Sequence, residues 1–147
     1  MTREEVRKIA LIKKDEKSLT WEELGKAIGR SPVYTAMLLY GYGQASLEEA
    51  EALVKVLDLP SETLRVLTKA PYRTPAQPWP PTDPFVYRFY EIVLLYIPAI
   101  KDVAHELFGD GIMSAIDMFI DLKRIEDASG TRMLISFNGK WLSYKKF

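Results

Sequence analysis

Arg88 and Glu91 are the only charged residues in the run FVYRFYEIVLLYIPAI, Phe85 to Ile100. Three positions apart, they are neighbours on one face of a helix. The remaining residues are apolar or aromatic on every side, so this helix is expected to be buried. A guanidinium and a carboxylate in such surroundings admit two readings. One is an internal ion pair that sets helix register, which returns little stability because desolvation offsets the attraction. The other is an anion site, in which the arginine stays charged in a dry pocket and offers a planar fork while the glutamate orients it or manages protons. Further along, FGDGIMSAI (Phe108 to Ile116) sets Ser114 among apolar neighbours shortly after a Gly-Asp-Gly turn. No G-x-S-x-G elbow and no nearby base marks Ser114 as an activated nucleophile. Its hydroxyl is either a plain buried group or a hydrogen-bond partner for a ligand. Gly109-Asp110-Gly111 is too short for a phosphate loop and reads as a structural turn.

Composition narrows the other chemistries. The 147 residues include no cysteine, which removes disulfides, thiolate metal sites and cysteine nucleophiles. A lone histidine, His105, argues against a zinc site or a Ser-His-Asp triad within one chain. Lys+Arg and Asp+Glu balance at 20 each, so the chain lacks the basic excess with which nucleic-acid binders displace counterions. No run approaches ~18 apolar residues, and no membrane span is expected. The N-terminus, MTREEVRKIALIKKDEK, carries charges at helical spacing and no signal-peptide core. The expectation is a soluble, cytoplasmic protein with neither nucleic-acid nor membrane partners.

The elements that must position these residues fall into two halves. PYRTPAQPWPPTDP, residues 71–84, holds six of the nine prolines and should act as an extended, semi-rigid spacer. Residues 1–70 read as five helices. Val6, Ile9, Ala10 and Lys13 give the first its period of 3.6. Thr20 with Glu23 is a capping box that opens WEELGKAI, and Gly29 closes it. Ser31-Pro32 supplies an N-cap and first-turn proline for VYTAMLLYG. Leu47 to Leu57 and Ser61 to Leu67 complete the set. Residues 85–147 open with the apolar helix, where Pro98 predicts a kink or restart. Helix resumes through KDVAHELF and stops at the Gly-Asp-Gly turn. Beyond it the period becomes 2: Met118, Ile120 and Leu122 alternate with Asp117, Phe119 and Asp121, and Met133, Ile135 and Phe137 form the partner strand. Glu126 to Gly130 closes this hairpin, and Asn138-Gly139 is expected to turn again. The fold class is therefore α+β. One hairpin is marginal alone, and the apolar helix needs more cover than ~60 residues provide, so the C-terminal half is expected to oligomerise in an intertwined way.

WEELGKAIGRSPVYTAMLLYG has the outline of a helix-turn-helix. Its second helix carries no Arg, Lys, Asn or Gln to reach base edges, and residues 1–70 hold 11 basic and 11 acidic side chains. An assembly role suits this half better than DNA regulation.

PTDPFVYRFYEIV, HELFGDGIMSAID and GKWLSYKKF, taken in this order, closely resemble the cyanases (cyanate hydratases, cyanate lyases) over the whole chain. The resemblance implies bicarbonate-dependent conversion of cyanate to carbamate and carbon dioxide, the carbamate then giving ammonia and more carbon dioxide. It implies three catalytic residues: Arg88 and Glu91 from YRFYE, and Ser114 from GDGIMSAI. It implies a cofactor-free homodecamer, a pentamer of dimers with interlocked C-terminal halves and sites between subunits, where residues 1–70 serve assembly and 85–147 serve catalysis and dimerisation. Bicarbonate would be a co-substrate, and oxalate-like dianions would inhibit. The sequence departs from the family's pattern at Ile97-Pro98, Leu107 and Ser143, none of them site residues. The alternatives are an inactive oligomeric scaffold and, further off, a helix-turn-helix regulator.

Overall fold

The structure, a computed structural model, describes residues 1–71 and 79–145, so half of the proline-rich spacer expected over 71–84 lies outside the described residues. In order, the elements are α1 (Arg3–Glu16), α2 (Trp21–Ile28), α3 (Pro32–Leu39), α4 (Leu47–Leu57), α5 (Thr63–Thr68), α6 (Pro84–Phe108), β1 (Gly111–Ile125) and β2 (Arg132–Ser143). The two strands pair as a hairpin, and the fold is α+β as the sequence indicates. The chain divides into two units. One takes α1–α5 together with Phe119–Phe137, and the other takes α6 with the base of the hairpin.

Local chemistry builds the helical unit. Capping boxes open α1 (Thr2 with Glu5), α2 (Thr20 with Glu23) and α4 (Ser46 with Glu49). Gly29 ends α2 in the left-handed region at φ 67°, and two residues later the Ser31 side chain accepts from the Tyr34 N–H to start α3. The bend between them is tight: a Cβ on Gly25 would stand 2.6 Å from the Arg30 carbonyl oxygen. Val6 and Ala10 of α1, Leu24 of α2, Leu38 and Leu39 of α3 and Leu53 and Leu57 of α4 fill the core. Arg30, the basic residue nearest α3, is engaged by Glu49 and lies over the Tyr34 ring.

The α2 cap carries a pH prediction. The N–H and hydroxyl of Thr20 hold the Glu23 carboxyl below its ordinary value of 4.5. A depressed carboxyl lends its stability in full above the unfolded value and loses it as pH falls through the folded one. Thermal melts taken from about pH 5 downward should therefore fall less steeply for Thr20→Ala than for the parent chain. Equal slopes would remove the cap from the acid sensitivity.

Three expectations meet a different outcome. The fifth helix starts at Thr63 rather than Ser61, because Thr63 and Leu64 first bond to the Pro60 and Ser61 carbonyls in a turn. Helix α6 runs without a restart through Pro98; the missing donor costs one hydrogen bond in a 25-residue helix whose flanking turns are intact. Asn138-Gly139 does not turn, since β2 continues straight through it. The shortfall of cover read from the sequence is also seen: α6 is not buried by its own chain. None of its residues is buried, and Leu95 remains 73% exposed. An all-apolar helix needs neighbours on every side, and a single hairpin cannot supply them. Large exposed apolar patches of this kind mark surfaces of association.

The end of α6 is tied firmly to the hairpin. His105 Nε2 lies 2.9 Å from the Gly111 carbonyl oxygen, and because a carbonyl can only accept, the ring nitrogen donates. The Tyr144 N–H bonds to the Asp110 carbonyl at 3.0 Å, and the Phe108 and Trp141 rings stack at 5.2 Å between centroids. The start of β1, and with it Ser114, is pinned to the C-terminal end of α6.

Candidate active site

Asp83 caps α6 by accepting from the Val86 N–H at 3.0 Å, and Pro84 fixes the first turn. The next two turns bring Arg88 and Glu91 onto one face, with Arg88 Nε 3.1 Å from Glu91 Oε2. Glu91 thus holds the Nε edge of the guanidinium, and the terminal nitrogens have no hydrogen-bond partner among the described residues. Both side chains border a shallow apolar groove along α6 whose other members are Ile92, Leu95, Tyr96 and Ile100. In the single chain the pair is open, with Arg88 74% and Glu91 43% exposed. The dry surroundings expected from the sequence are not made by one chain, which supplies only the α6 wall. So exposed an i,i+3 pair contributes about 0.5 kcal/mol or less to folding, so stability alone does not account for it.

Ser114 lies in β1 and is buried, 8% exposed. Its Oγ accepts the N–H of Ile116 at 3.2 Å and of Asp117 at 2.9 Å. Both lone pairs are therefore engaged, while the hydroxyl proton has no acceptor among the described residues and can be donated. Two N–H dipoles on the oxygen polarise the O–H and make it a better donor, and they make the oxygen a poorer nucleophile. This local knot also interrupts the alternation of the strand. In β1 the buried residues near its start, Gly111 and Ser114, stand three apart instead of two. The period of 2 read from the sequence begins just past this point for that reason.

The chain brings Arg88 and Glu91 together and keeps Ser114 apart from them. Twenty helical residues separate Arg88 from Phe108, about 30 Å along the axis, and β1 is pinned at that far end. Three extended residues from Gly111 to Ser114 cover about 10 Å. Even if β1 doubles straight back, roughly 20 Å remain between Ser114 and Arg88 of one chain. Among the described residues no three His, Cys, Asp or Glu side chains gather to hold a metal ion. The backbone donors to Ser114 carry no sequence signal, since every residue but proline offers an N–H.

The fold defines a class: an α+β protein with five N-terminal helices, then one long, exposed apolar helix and a two-stranded hairpin. Known proteins share the fold. A family model of the cyanate lyase C-terminal domain matches residues 78–146. A cyanate hydratase of Sulfurisphaera tokodaii is 61% identical over 99% of this chain and 98% of its own. One from Aquifex aeolicus is 56% identical over 95% and 94%. The crystal structure of cyanase from T. urticae superposes with a TM-score of 0.83 at 30% identity, covering 94% of this chain and 96% of the other. The chain belongs to the cyanate hydratase (cyanate lyase) family of enzymes, as YRFYE and GDGIMSAI indicate.

Proposed function

We propose that this protein decomposes cyanate in a bicarbonate-dependent reaction, at a site between subunits where Arg88 and Glu91 of one chain face Ser114 of another. The observation that carries the reading is the Arg88 guanidinium, paired at Nε with Glu91 and without a partner at its terminal nitrogens among the described residues, beside an uncovered apolar groove. When a second subunit covers that groove, the charge becomes desolvated and its hydrogen bonds to an anion gain strength.

The substrates explain why such equipment is needed. Cyanate and bicarbonate are both monoanions, and at ~4 Å two like charges repel by about 4 kcal/mol at an effective dielectric near 20. Fixed positive charge and preorganised donors lower that barrier more than a nucleophile would. A bicarbonate oxygen attacks the cyanate carbon and forms a C–O bond, giving a dianionic adduct. Nitrogen takes up protons, one from the bicarbonate hydroxyl and one from solvent. The C–O bond inherited from bicarbonate then breaks, releasing carbon dioxide and leaving carbamate. Carbamate takes up a further proton and falls to ammonia and a second carbon dioxide. Arg88 neutralises the adduct, the Ser114 hydroxyl donates to one of its oxygens, and Glu91 keeps the guanidinium in place. Bicarbonate is consumed as a co-substrate, and the steps need neither a metal nor an organic cofactor.

Assembly follows the same reading. Residues 85–147 form the catalytic and dimerisation region, 71–84 space it from the helical part, and residues 1–70 serve assembly, giving a cytoplasmic homodecamer of five dimers. The central test measures ammonia released from cyanate with and without bicarbonate. Release that requires both anions supports the proposal. No release with either would leave an inactive scaffold, and a salt-sensitive shift of duplex DNA would favour a regulator instead. Oxalate, a planar dianion resembling the adduct, should inhibit in competition with the substrates. Failure to compete at concentrations well above the substrate KM would count against a dianion site.

A further inference from the structure

Asn138-Gly139 has the composition of a hairpin turn, yet it lies within β2, and Gly139 is not among the residues with positive φ. No backbone conformation calls for glycine there. Space does. A Cβ on Gly139 would stand 2.9 Å from the Ser114 carbonyl oxygen and 2.9 Å from Met113 Sδ, and would overlap Met113 Cγ. Ordinary van der Waals contact begins near 3.4 Å. Met113, 41% exposed and with three rotatable bonds, can swing aside. The Ser114 carbonyl cannot, because it belongs to a backbone whose next N–H groups are tied to the Ser114 hydroxyl. A second pinch comes from the other strand, where a Cβ on Gly111 would come within 2.5 Å of the Leu142 carbonyl oxygen. Ser114 is thus held between two points at which the strands approach more closely than a side chain allows.

We infer that Gly139 is a positioning residue: its missing side chain sets the depth at which the Ser114 hydroxyl stands and hence where its free proton points. The inference rests on the reading of Ser114 as a donor to substrate. Any larger residue at 139 relieves its contact with the carbonyl only by displacing Ser114 by a fraction of an ångström or more. Displacements approaching 1 Å cost up to about 100-fold in rate.

Three variants test this in the full-length, assembled protein: Gly139→Ala, Ser114→Ala and the pair together. The expected result is unchanged assembled mass, a kcat lowered about 10- to 100-fold by Gly139→Ala with a smaller change in KM, and no further loss when Gly139→Ala is added to Ser114→Ala. A purely structural defect would lower both backgrounds equally, and that additivity would overturn the inference. A normal kcat for Gly139→Ala beside a slow Ser114→Ala would overturn it too, leaving the role of Ser114 intact. A normal rate for Ser114→Ala would instead defeat the reading on which it rests. If Gly139→Ala does not assemble, Met113→Ala/Gly139→Ala removes the side-chain overlap and keeps the carbonyl contact. That variant should assemble and stay slow, whereas a full recovery of rate would show that Met113 crowding was the whole effect.

Discussion

Arg88→Lys should lower kcat/KM for cyanate by about 100-fold or more, with the assembled mass unchanged. Arginine performs two tasks at once here. Its Nε edge is held by Glu91 at 3.1 Å, and that contact leaves the two terminal nitrogens as a fixed pair of donors. A lysine ammonium can satisfy Glu91 or the anion, but it has no planar fork with which to do both in one orientation. The substitution keeps the charge and the helix propensity, and the side chain is largely exposed in the single chain, so neither folding nor α6 gives a reason for the loss. Ammonia release measured against cyanate at saturating bicarbonate, with mass determined on the same sample, checks the outcome. A lysine variant within about threefold of the parent would take Arg88 out of anion binding, since preorganised donors are worth far more than that. Glu91→Gln separates the companion role: it keeps an acceptor at the Nε edge, so it should cost much less than Arg88→Lys if Glu91 acts by holding the fork.

The parts of this chain that could be read in advance are those whose causes are local. Thr20 with Glu23, Gly29, and Ser31-Pro32 specify where α2 ends and α3 begins through contacts within four residues, and the structure follows them. Arg88 and Glu91 stood out because charge is rare in an apolar run, and helical spacing alone puts them side by side. What escaped depends on distant chain. Asn138-Gly139 has the letters of a turn, but its glycine answers to Ser114 across the hairpin. The sixteen-residue run from Phe85 shows by composition that it needs more cover than its own half of the chain holds, but not which surface supplies it. The hydroxyl of Ser114 gave no sign of its role by periodicity, because the backbone knot it organises is what breaks the period.

Two inactive variants should restore each other. Arg88→Ala removes the fork and Ser114→Ala removes the donor, and each alone is expected to be nearly inactive. If a site takes Arg88 and Glu91 from one chain and Ser114 from another, co-expression lets an intact pair meet an intact serine. By random assortment about one quarter of the sites in a symmetric oligomer would then be native, and ammonia release should rise to about that fraction of the parent rate. The expectation comes from distance. About 30 Å of helix separates Arg88 from the end of α6, and His105 pins β1 to that end at 2.9 Å, leaving Ser114 unable to reach back to its own arginine. An intramolecular site has no such rescue available, because every chain would carry one lesion. The check is co-expression with two different purification tags, so that only mixed assemblies are assayed. The double variant Arg88→Ala/Ser114→Ala, co-expressed with the parent chain, is the control for dilution alone. Mixed assemblies as inactive as either variant would place all three residues in one chain's site and would require β1 to leave the end of α6.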